Sequence, residues 1–425
     1  MSLDRKKAKV LYVCRLFNGL ETSIKTREWH PTGVPTIYKI IENLDSSNDF
    51  DLDLVITPKS NSNKCNFRLS NNIKINGLTS VVTVLSSLGK KYGRIGLLIQ
   101  EMMHVIYIVS RILFRKYDLL YIDNANIFAA TIVARMKFIP VIFRVMGVYP
   151  AMRSIMVDNS IKGYIMRKCY SSPFSSVICT QDGSGVEPWL DMAINKNTPV
   201  CTLINGVDLG MYAQNDLDNL YKKYKIPEDK FLIFFLGKIE KIKGIYEFIE
   251  GFSLASKKLQ GDIHAVVVGH GDQYKSIIDK FGNNTDITFI ARIPHGDIDK
   301  FHKISDLYIS TNRLANLTNA NLEAMASGDC IVIPKSQPDT SVDLITDELL
   351  DNSAVYRIPF PPTSSNVKKA IDTLFFNSKL RESMSLNVLN QSKKFITSWD
   401  ERINRELKII SSFIKTKTKT KYFFD

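Results

Sequence analysis

The residues of this 425-residue chain best suited to chemistry lie in Leu322–Gly328, LEAMASG, with the apolar run CIVIP directly behind it. Glu323 opens a short run of small residues, Gly328 closes it, and a β-type strand follows. A carboxylate at the start of a helix with small faces suits a polyhydroxylated ligand better than it suits a buried structural helix. Three further segments share a strand, turn, helix pattern. Gly237-Lys-Ile-Glu-Lys-Ile-Lys-Gly244 follows an apolar strand, and Lys238 and Lys243 bring two cations to the strand end. The helix after Gly244 points its positive end there too, a seat for phosphate or diphosphate. On this segment alone, an exposed lysine loop explains the same residues. Val268-Gly-His-Gly-Asp272 places Gly269 and Gly271 in a turn, with His270 read as exposed. In Asn316-Leu317-Thr318-Asn319, polar side chains and free N–H groups precede the Glu323 helix, which suits an anion or sugar hydroxyls. N-capping by Thr318 or Asn319, with Glu323 as a first-turn acid, is the structural alternative.

These segments need elements to hold them. In the first half, strands are predicted at Val10–Cys14, Leu52–Ile56, Leu119–Ile122, Val141–Arg144 and Ser176–Cys179. A polar loop runs from the first strand through Gly33, and a helix follows from Thr36 to Leu44. The turn Asn205-Gly206-Val207-Asp208 closes that half. The second half reads as strand Phe231–Leu236, helix Tyr246–Lys257, strand Ala265–Val268 and a helix from Tyr274. Strands Thr288–Ile290, Leu307–Ser310 and Ile331–Pro334 complete it. Alternating strands and helices imply parallel sheets with right-handed crossovers. The fold class is therefore α/β, with two Rossmann-like parallel-sheet domains over residues 1–206 and 207–398 facing a central cleft. Ligands in such sheets bind at the carboxyl ends of strands.

Bulk properties agree with a two-domain soluble enzyme: 44% hydrophobic and 23% charged residues. The 56 Lys and Arg outnumber the 43 Asp and Glu, which favours an anionic partner. Six cysteines, at 14, 65, 169, 179, 201 and 330, form no close pairs and read as reduced thiols. No signal peptide and no run of 18 apolar residues is evident. Ile95–Phe114 carries Gln100, Glu101, His104 and Arg111 on one side and reads as an amphipathic helix. Lys90, Lys91 and Arg94 precede it, and Arg111, Arg115 and Lys116 end it. It is either a core helix with solvated ends or a surface resting on an anionic membrane. The Lys415–Lys421 tail reads as a solvated end. No zinc spacing or recognition-helix pattern supports nucleic-acid binding.

From about Phe231 to Pro334 the chain resembles the retaining, family 4 glycosyltransferases with the GT-B fold. That family's GRLxxxKG motif is matched by Gly237-Lys238-Ile239 with Lys243-Gly244, lysine replacing arginine. Its G-x-G turn is matched by Gly269 and Gly271, its following strand regions by 289–295 and 306–310, and its E-A-M-A-x-G segment by Leu322–Gly328. The first half is similar more loosely, through Gly33-Val34, Arg144-Val-Met-Gly147 and Asn205–Asp208. The resemblance implies transfer of a sugar from a nucleotide-sugar donor, a co-substrate with no further cofactor, to a glycan or lipid-linked acceptor. Lys238 and Lys243 would neutralise the leaving diphosphate, Glu323 would bind the ribose, and Arg292 would lie near the base. Amides around Leu317 and Thr318 would contact sugar or phosphate, with Gly33, Arg144 and Gly147 on the acceptor side. The last helix, 399–425, would cross back to the N-terminal domain, with Trp399 as a packing anchor.

Two departures stand out. The family's second glutamate, eight residues before Glu323, is Ala315 here, and a loop histidine is replaced by Met146. Asn316 and Asn319 are then candidates for handling the sugar, with Arg144 covering part of the histidine's role. The D-x-D pairs Asp51/Asp53 and Asp297/Asp299 read as a strand start and a helix start, and no metal is expected. The function expected is a cytoplasmic, metal-independent hexosyltransferase of surface polysaccharide or glycolipid synthesis. The alternative is a catalytically weak GT-B subunit that binds a nucleotide-sugar or scaffolds a partner.

Overall fold

The computed structural model describes residues 7–58, 70–88 and 92–420, the side chains of 415–420 excepted. Cys65, Lys90, Lys91 and Lys421 lie outside the described residues, as do the side chains of the tail before Lys421. Two compact units are present. The first holds residues 1–180, 187–203 and 400–425; the second holds 181–186 and 204–399. The division near the expected 206/207 boundary thus falls at 203/204, and the short segment 181–186 goes with the second unit.

The first unit is built on strands β1 (Ala8–Arg15), β2 (Phe50–Thr57), β3 (Ser70–Ile73), β4 (Val82–Leu85), β5 (Leu119–Asp123), β6 (Val141–Val145), β7 (Ser176–Thr180) and β8 (Val200–Leu203). Their order is β3-β4-β2-β1-β5-β6-β7-β8, parallel throughout except for the β3–β4 pair. Val10 stands opposite both Leu52 and Leu119, and the centre of β1 is wholly buried. Such continuous apolar runs belong to strands covered on both faces. The second unit carries β9 (Phe231–Leu236), β10 (Ile263–Val268), β11 (Ile287–Ile290), β12 (Leu307–Ile309), β13 (Ile331–Pro334) and β14 (Val355–Ile358). Its order is β11-β10-β9-β12-β13-β14, all parallel. Apolar clusters cover both faces of this sheet, one around Phe248 and Phe252, the other around Phe234 and Phe301.

The structure corrects the sequence reading at several elements. A nine-residue helix, Asn18–Thr26, occupies part of the expected polar loop before Gly33. It has two buried residues, Leu20 and Ser23, too few for a visible period. Strands β3, β4, β8 and β14 were not expected; each has only four residues, and β3, β8 and β14 lie at sheet edges. The Gly93–Phe114 helix is long and apolar enough to cross a membrane by length and composition. Its inward face is mixed and much of its apolar surface points out: Ile108 and Ile112 are buried on the same row as two polar residues. Gln100 and His104 are buried, while Ile95, Leu98, Met102 and Ile106 are exposed. Gln100 Oε1 accepts from the Ser87 hydroxyl at 3.2 Å and the Leu88 N–H at 3.0 Å, and His104 Nε2 lies 2.8 Å from the Ser86 carbonyl. Arg111, expected among the basic flanks, turns inward instead. Its Nη2 donates to Asp53 Oδ1 at 2.7 Å and its Nε to Oδ2 at 3.0 Å, and Tyr117 also donates to that carboxylate.

Arg144 is likewise not on an acceptor surface. Its side chain is fully buried and pairs with Glu406 at 3.2 Å, while donating to Thr180 Oγ1 at 2.7 Å and to the Val145 and Ile178 carbonyls. Glu406 lies on the last helix, Trp399–Thr420, and also takes hydrogen bonds from Tyr121 and Arg402. Burial pushes the Glu406 carboxyl up, but Arg144 and Arg402 outweigh it and hold the pKa below the usual range. Arg144 is thus the strut that ties β6 to the final helix. Glu406→Ala strands a buried guanidinium, and the expected cost is about 3–5 kcal/mol. The unfolding step of the first unit in calorimetry is expected to fall by roughly 10 °C; an unchanged midpoint would show that the ion pair does not hold the helix.

Candidate functional site

In the second sheet, crossovers run one way from β9 to β11 and the other way from β12 to β14, so the order switches between β9 and β12. The loops that leave β9, β10 and β12 meet there. Gly237 N–H donates to the Val268 carbonyl at 3.0 Å, and Ile239 exchanges backbone bonds with His270 and Gln273. Gly269 adopts φ 151°, and a Cβ there would overlap the Gly237 carbonyl. A Cβ on Gly271 would overlap the Ile239 carbonyl. Gly244 caps the Lys241–Lys243 turn at φ 68° and starts the Ile245–Lys258 helix. The Thr311 hydroxyl, just past β12, lies 2.9 and 2.8 Å from the Lys243 and Gly244 carbonyls. Glycine is required where these backbones touch, which accounts for the motif spacing.

The two lysines differ. Lys238 is mostly exposed and lies 3.7 Å from Glu240. Lys243 is partly buried, and its ammonium has no hydrogen bond or ion pair among the described residues. Burial lowers its pKa, with Asp182 and Glu240 pulling the other way. Asp182 is raised by burial despite two bonds from Ser184 and the nearby Lys243. His270 is exposed and stacks on Tyr274, as expected of a turn residue. Arg292, after β11, is exposed.

Thr318 caps the Asn319–Ser327 helix, accepting from the Asn321 N–H at 3.4 Å. Leu317 does not offer its amide outward: that N–H donates to the Asp182 carbonyl at 3.0 Å. Asn316 is sealed in as well. It is fully buried, donates through Nδ2 to the Pro334 carbonyl at 3.1 Å, and gives its N–H to Asp343 Oδ1 at 2.6 Å. Its Oδ1 has no partner among the described residues, and Ala315 beside it is also buried. Asn319 Oδ1 accepts from Asn205 at 2.6 Å. On the first unit, Gly33 and Gly147 both have φ 98°.

Glu323 is partly buried, and its carboxylate has no hydrogen bond or ion pair among the described residues. Burial pushes its pKa from 4.5 to about 7, His302 pulling it down and Asp299 pushing it up. His302 is buried with Nδ1 2.7 Å from Asp329 Oδ2, and its ring packs edge-on to Phe234. Burial also raises Asp343 to about 7, against its bonds from Asn316 and Thr346. Sequence reasoning missed Asp182, His302, Asp329 and Asp343. Asp329 directly follows Gly328, which was a visible signal; the other three reach the site only through the fold. Of the Asp51/Asp53 and Asp297/Asp299 pairs, three carboxylates are held by protein groups: Asp53 by Arg111, Asp297 by Lys300 at 2.8 Å, and Asp299 by the Gly210 N–H.

Two Rossmann-like parallel sheets, one with this set of glycine-separated loops, define the GT-B fold, and residues 216–390 match the family model described as Glycosyl transferases group 1. Among curated proteins, the uncharacterized glycosyltransferase MJ1069 of Methanocaldococcus jannaschii is 26% identical over 207 residues, 47% of this chain and 50% of its own. The lipopolysaccharide 1,2-N-acetylglucosaminetransferase of Salmonella typhimurium is 25% identical over 174 residues, 38% of this chain and 44% of its own. The chain thus spans about half the length of the curated relatives it matches. Among solved structures, Anabaena Alr3699/HepE in complex with UDP and glucose superposes with a TM-score of 0.64 at 14% identity, covering 95% of this chain and 100% of that one.

The electrostatics of Glu323 yield a signed expectation. Between pH 4.5 and 7 the folded state holds a proton that the unfolded state has lost, so this group's contribution to stability falls as pH rises through that window. Glu323→Gln is expected to be more stable than the parent at pH 8, by on the order of 2 kcal/mol, with the gap closing near pH 4. Thermal unfolding of both proteins at the two pH values tests it; an equal gap at both would refute the buried, unpaired carboxylate. Gly269→Ala is expected to lower stability by more than about 2 kcal/mol, since backbone must move to admit the methyl. A midpoint unchanged in the same scan would remove the loop contact from the account.

Proposed function

We propose that the protein is a retaining glycosyltransferase that moves a hexosyl group from a nucleotide-sugar to a glycan or lipid-linked acceptor. Its place would be the cytoplasmic assembly of a surface polysaccharide or glycolipid. The observation that carries this reading is Lys243: a partly buried cation at the β9 end, without an ion pair among the described residues, beside Asp182, whose carbonyl also holds Leu317 before the Glu323 helix. A departing diphosphate gains negative charge while the sugar ring becomes cationic. A cation and a helix N-terminus fixed in advance at the diphosphate stabilise that charge separation without reorganisation. Glu323 would accept a ribose hydroxyl, and nucleotide binding would favour its ionised form. With lysine available to the diphosphate, the chemistry needs no metal ion. The family match, the lipopolysaccharide-sugar transferase among the relatives and the UDP-bound structural neighbour support the reading.

Ala315 favours a second reading, a weakly active GT-B subunit that binds a nucleotide-sugar or supports a partner, since the Asn316 beside it is buried and bonded to Pro334. Thermal-shift screening against nucleoside diphosphates and nucleotide-sugars, beginning with UDP, tests both. Stabilisation by a diphosphate is expected, with affinity reduced about 10- to 100-fold in Lys243→Ala, the loss of one hydrogen bond to a charged group. Indifference to every nucleotide would sink the donor site. Binding without hydrolysis or transfer, joined by a silent Glu323→Ala in a cell-based glycan assay, would favour the second reading.

A further inference from the structure

We infer that the first unit docks on an anionic lipid bilayer through the outer faces of three neighbouring helices, and that the Gly93–Phe114 helix lies flat in that interface without crossing it. Gly93–Phe114 packs beside Ile127–Met136, which packs beside Ile161–Tyr170. All three turn apolar side chains outward. On the first, Ile95 is 71% exposed, Leu98 66%, Ile106 63% and Phe114 87%. Phe128 and Ile132 are exposed on the second, and Ile161, Tyr164 and Ile165 on the third. An apolar face this wide on a water-soluble protein marks an interaction surface.

Charge decides the occupant. From residue 93 to 170 the chain has eleven Lys and Arg against four Asp and Glu. Arg94, Arg115, Lys116, Arg135, Lys137 and Lys162 are exposed on or next to the three helices. Of the four acids, Asp123 is buried and Glu101 is paired with Arg15 at 3.1 Å. Asp118 holds the Lys9 N–H, and Asp158 its own turn at Ser160. A groove at the end of the first helix is lined by Lys7, Lys9, Arg115 and Lys116, together with Asp51 and Asp118. An apolar face with a basic surround matches acyl chains below anionic headgroups. A second copy would bring the same cations against one another across a symmetric interface. The flat orientation follows from the inward face: Gln100, His104 and Arg111 are bonded to Ser87, Ser86 and Asp53, so the helix cannot leave the sheet to span a bilayer.

The inference does not depend on the transfer reading, because nucleotide binding by the second unit is measured separately. The test is sedimentation of the full chain with vesicles of phosphatidylcholine alone or mixed with phosphatidylglycerol. Binding to the anionic vesicles is expected, weakened by salt. The pair Leu98→Glu and Met102→Glu is expected to cut binding at least about tenfold with thermal midpoint and diphosphate binding unchanged. Arg115→Gln and Lys116→Gln are each expected to cost about fivefold. Failure to bind anionic vesicles overturns the inference, as does binding that the paired glutamates leave intact. A dimer in solution that Leu98→Glu dissociates, without vesicle binding, would assign the face to a second copy instead.

Discussion

The Gly237 carbonyl rests against the α-carbon of Gly269, and no side chain fits between them. This contact draws the loops leaving β9 and β10 together, and the Thr311 hydroxyl fastens the β12 loop to the same place through Lys243 and Gly244. Lys243 is then no longer a side chain on a mobile lysine-rich loop. Its backbone is fixed by hydrogen bonds on two sides, and only the ammonium end retains freedom. A cation whose position is set before a ligand arrives costs little to use when it does.

The charges around it follow a consistent logic. Asp182, Asp343 and Glu323 all have pKa values raised by burial, while that of Lys243 is lowered by the same cause. Each is pushed toward neutrality because water has been removed without full ionic compensation. Structural charges in this chain behave differently: Arg144 and Glu406 are fully buried yet paired, and Glu406 is held below its usual range. Shifted groups without a full ionic partner are candidates for meeting an incoming ligand, whereas paired ones hold elements together.

What was legible in the sequence was local. The β9, β10 and β13 strands, the glycine turns behind β9 and β10 and the Glu323 helix each occupy one contiguous segment, where apolar runs and glycine spacing carry the signal. Strands β8 and β14 lie at sheet edges, where Thr202 and Arg357 interrupt the apolar run. Roles set by distant partners were not legible. Arg144 reads as a loop-end cation until Glu406, 262 residues away, is placed against it. Asn316 reads as a polar residue free for sugar until Pro334 and Asp343 close over it. Arg111 reads as a basic flank until Asp53 turns it inward.

The Gly93–Phe114 helix shows the same limit in a sharper form. Its buried row is mixed, Gln100 and His104 lying in line with Ile108 and Ile112, and period alone cannot say which side faces the protein. The answer came from the polar groups beneath it, where Ser86, Ser87 and Asp53 are met by Gln100, His104 and Arg111. Burying the apolar side against the sheet would have left those groups unbonded, at a cost of about 1–3 kcal/mol each. The polar seam therefore fixes the helix inward-side-in, and the outward apolar row is a consequence of that seam. A surface whose exposure is enforced from within in this way keeps its apolar face available without unfolding any part of the unit that carries it.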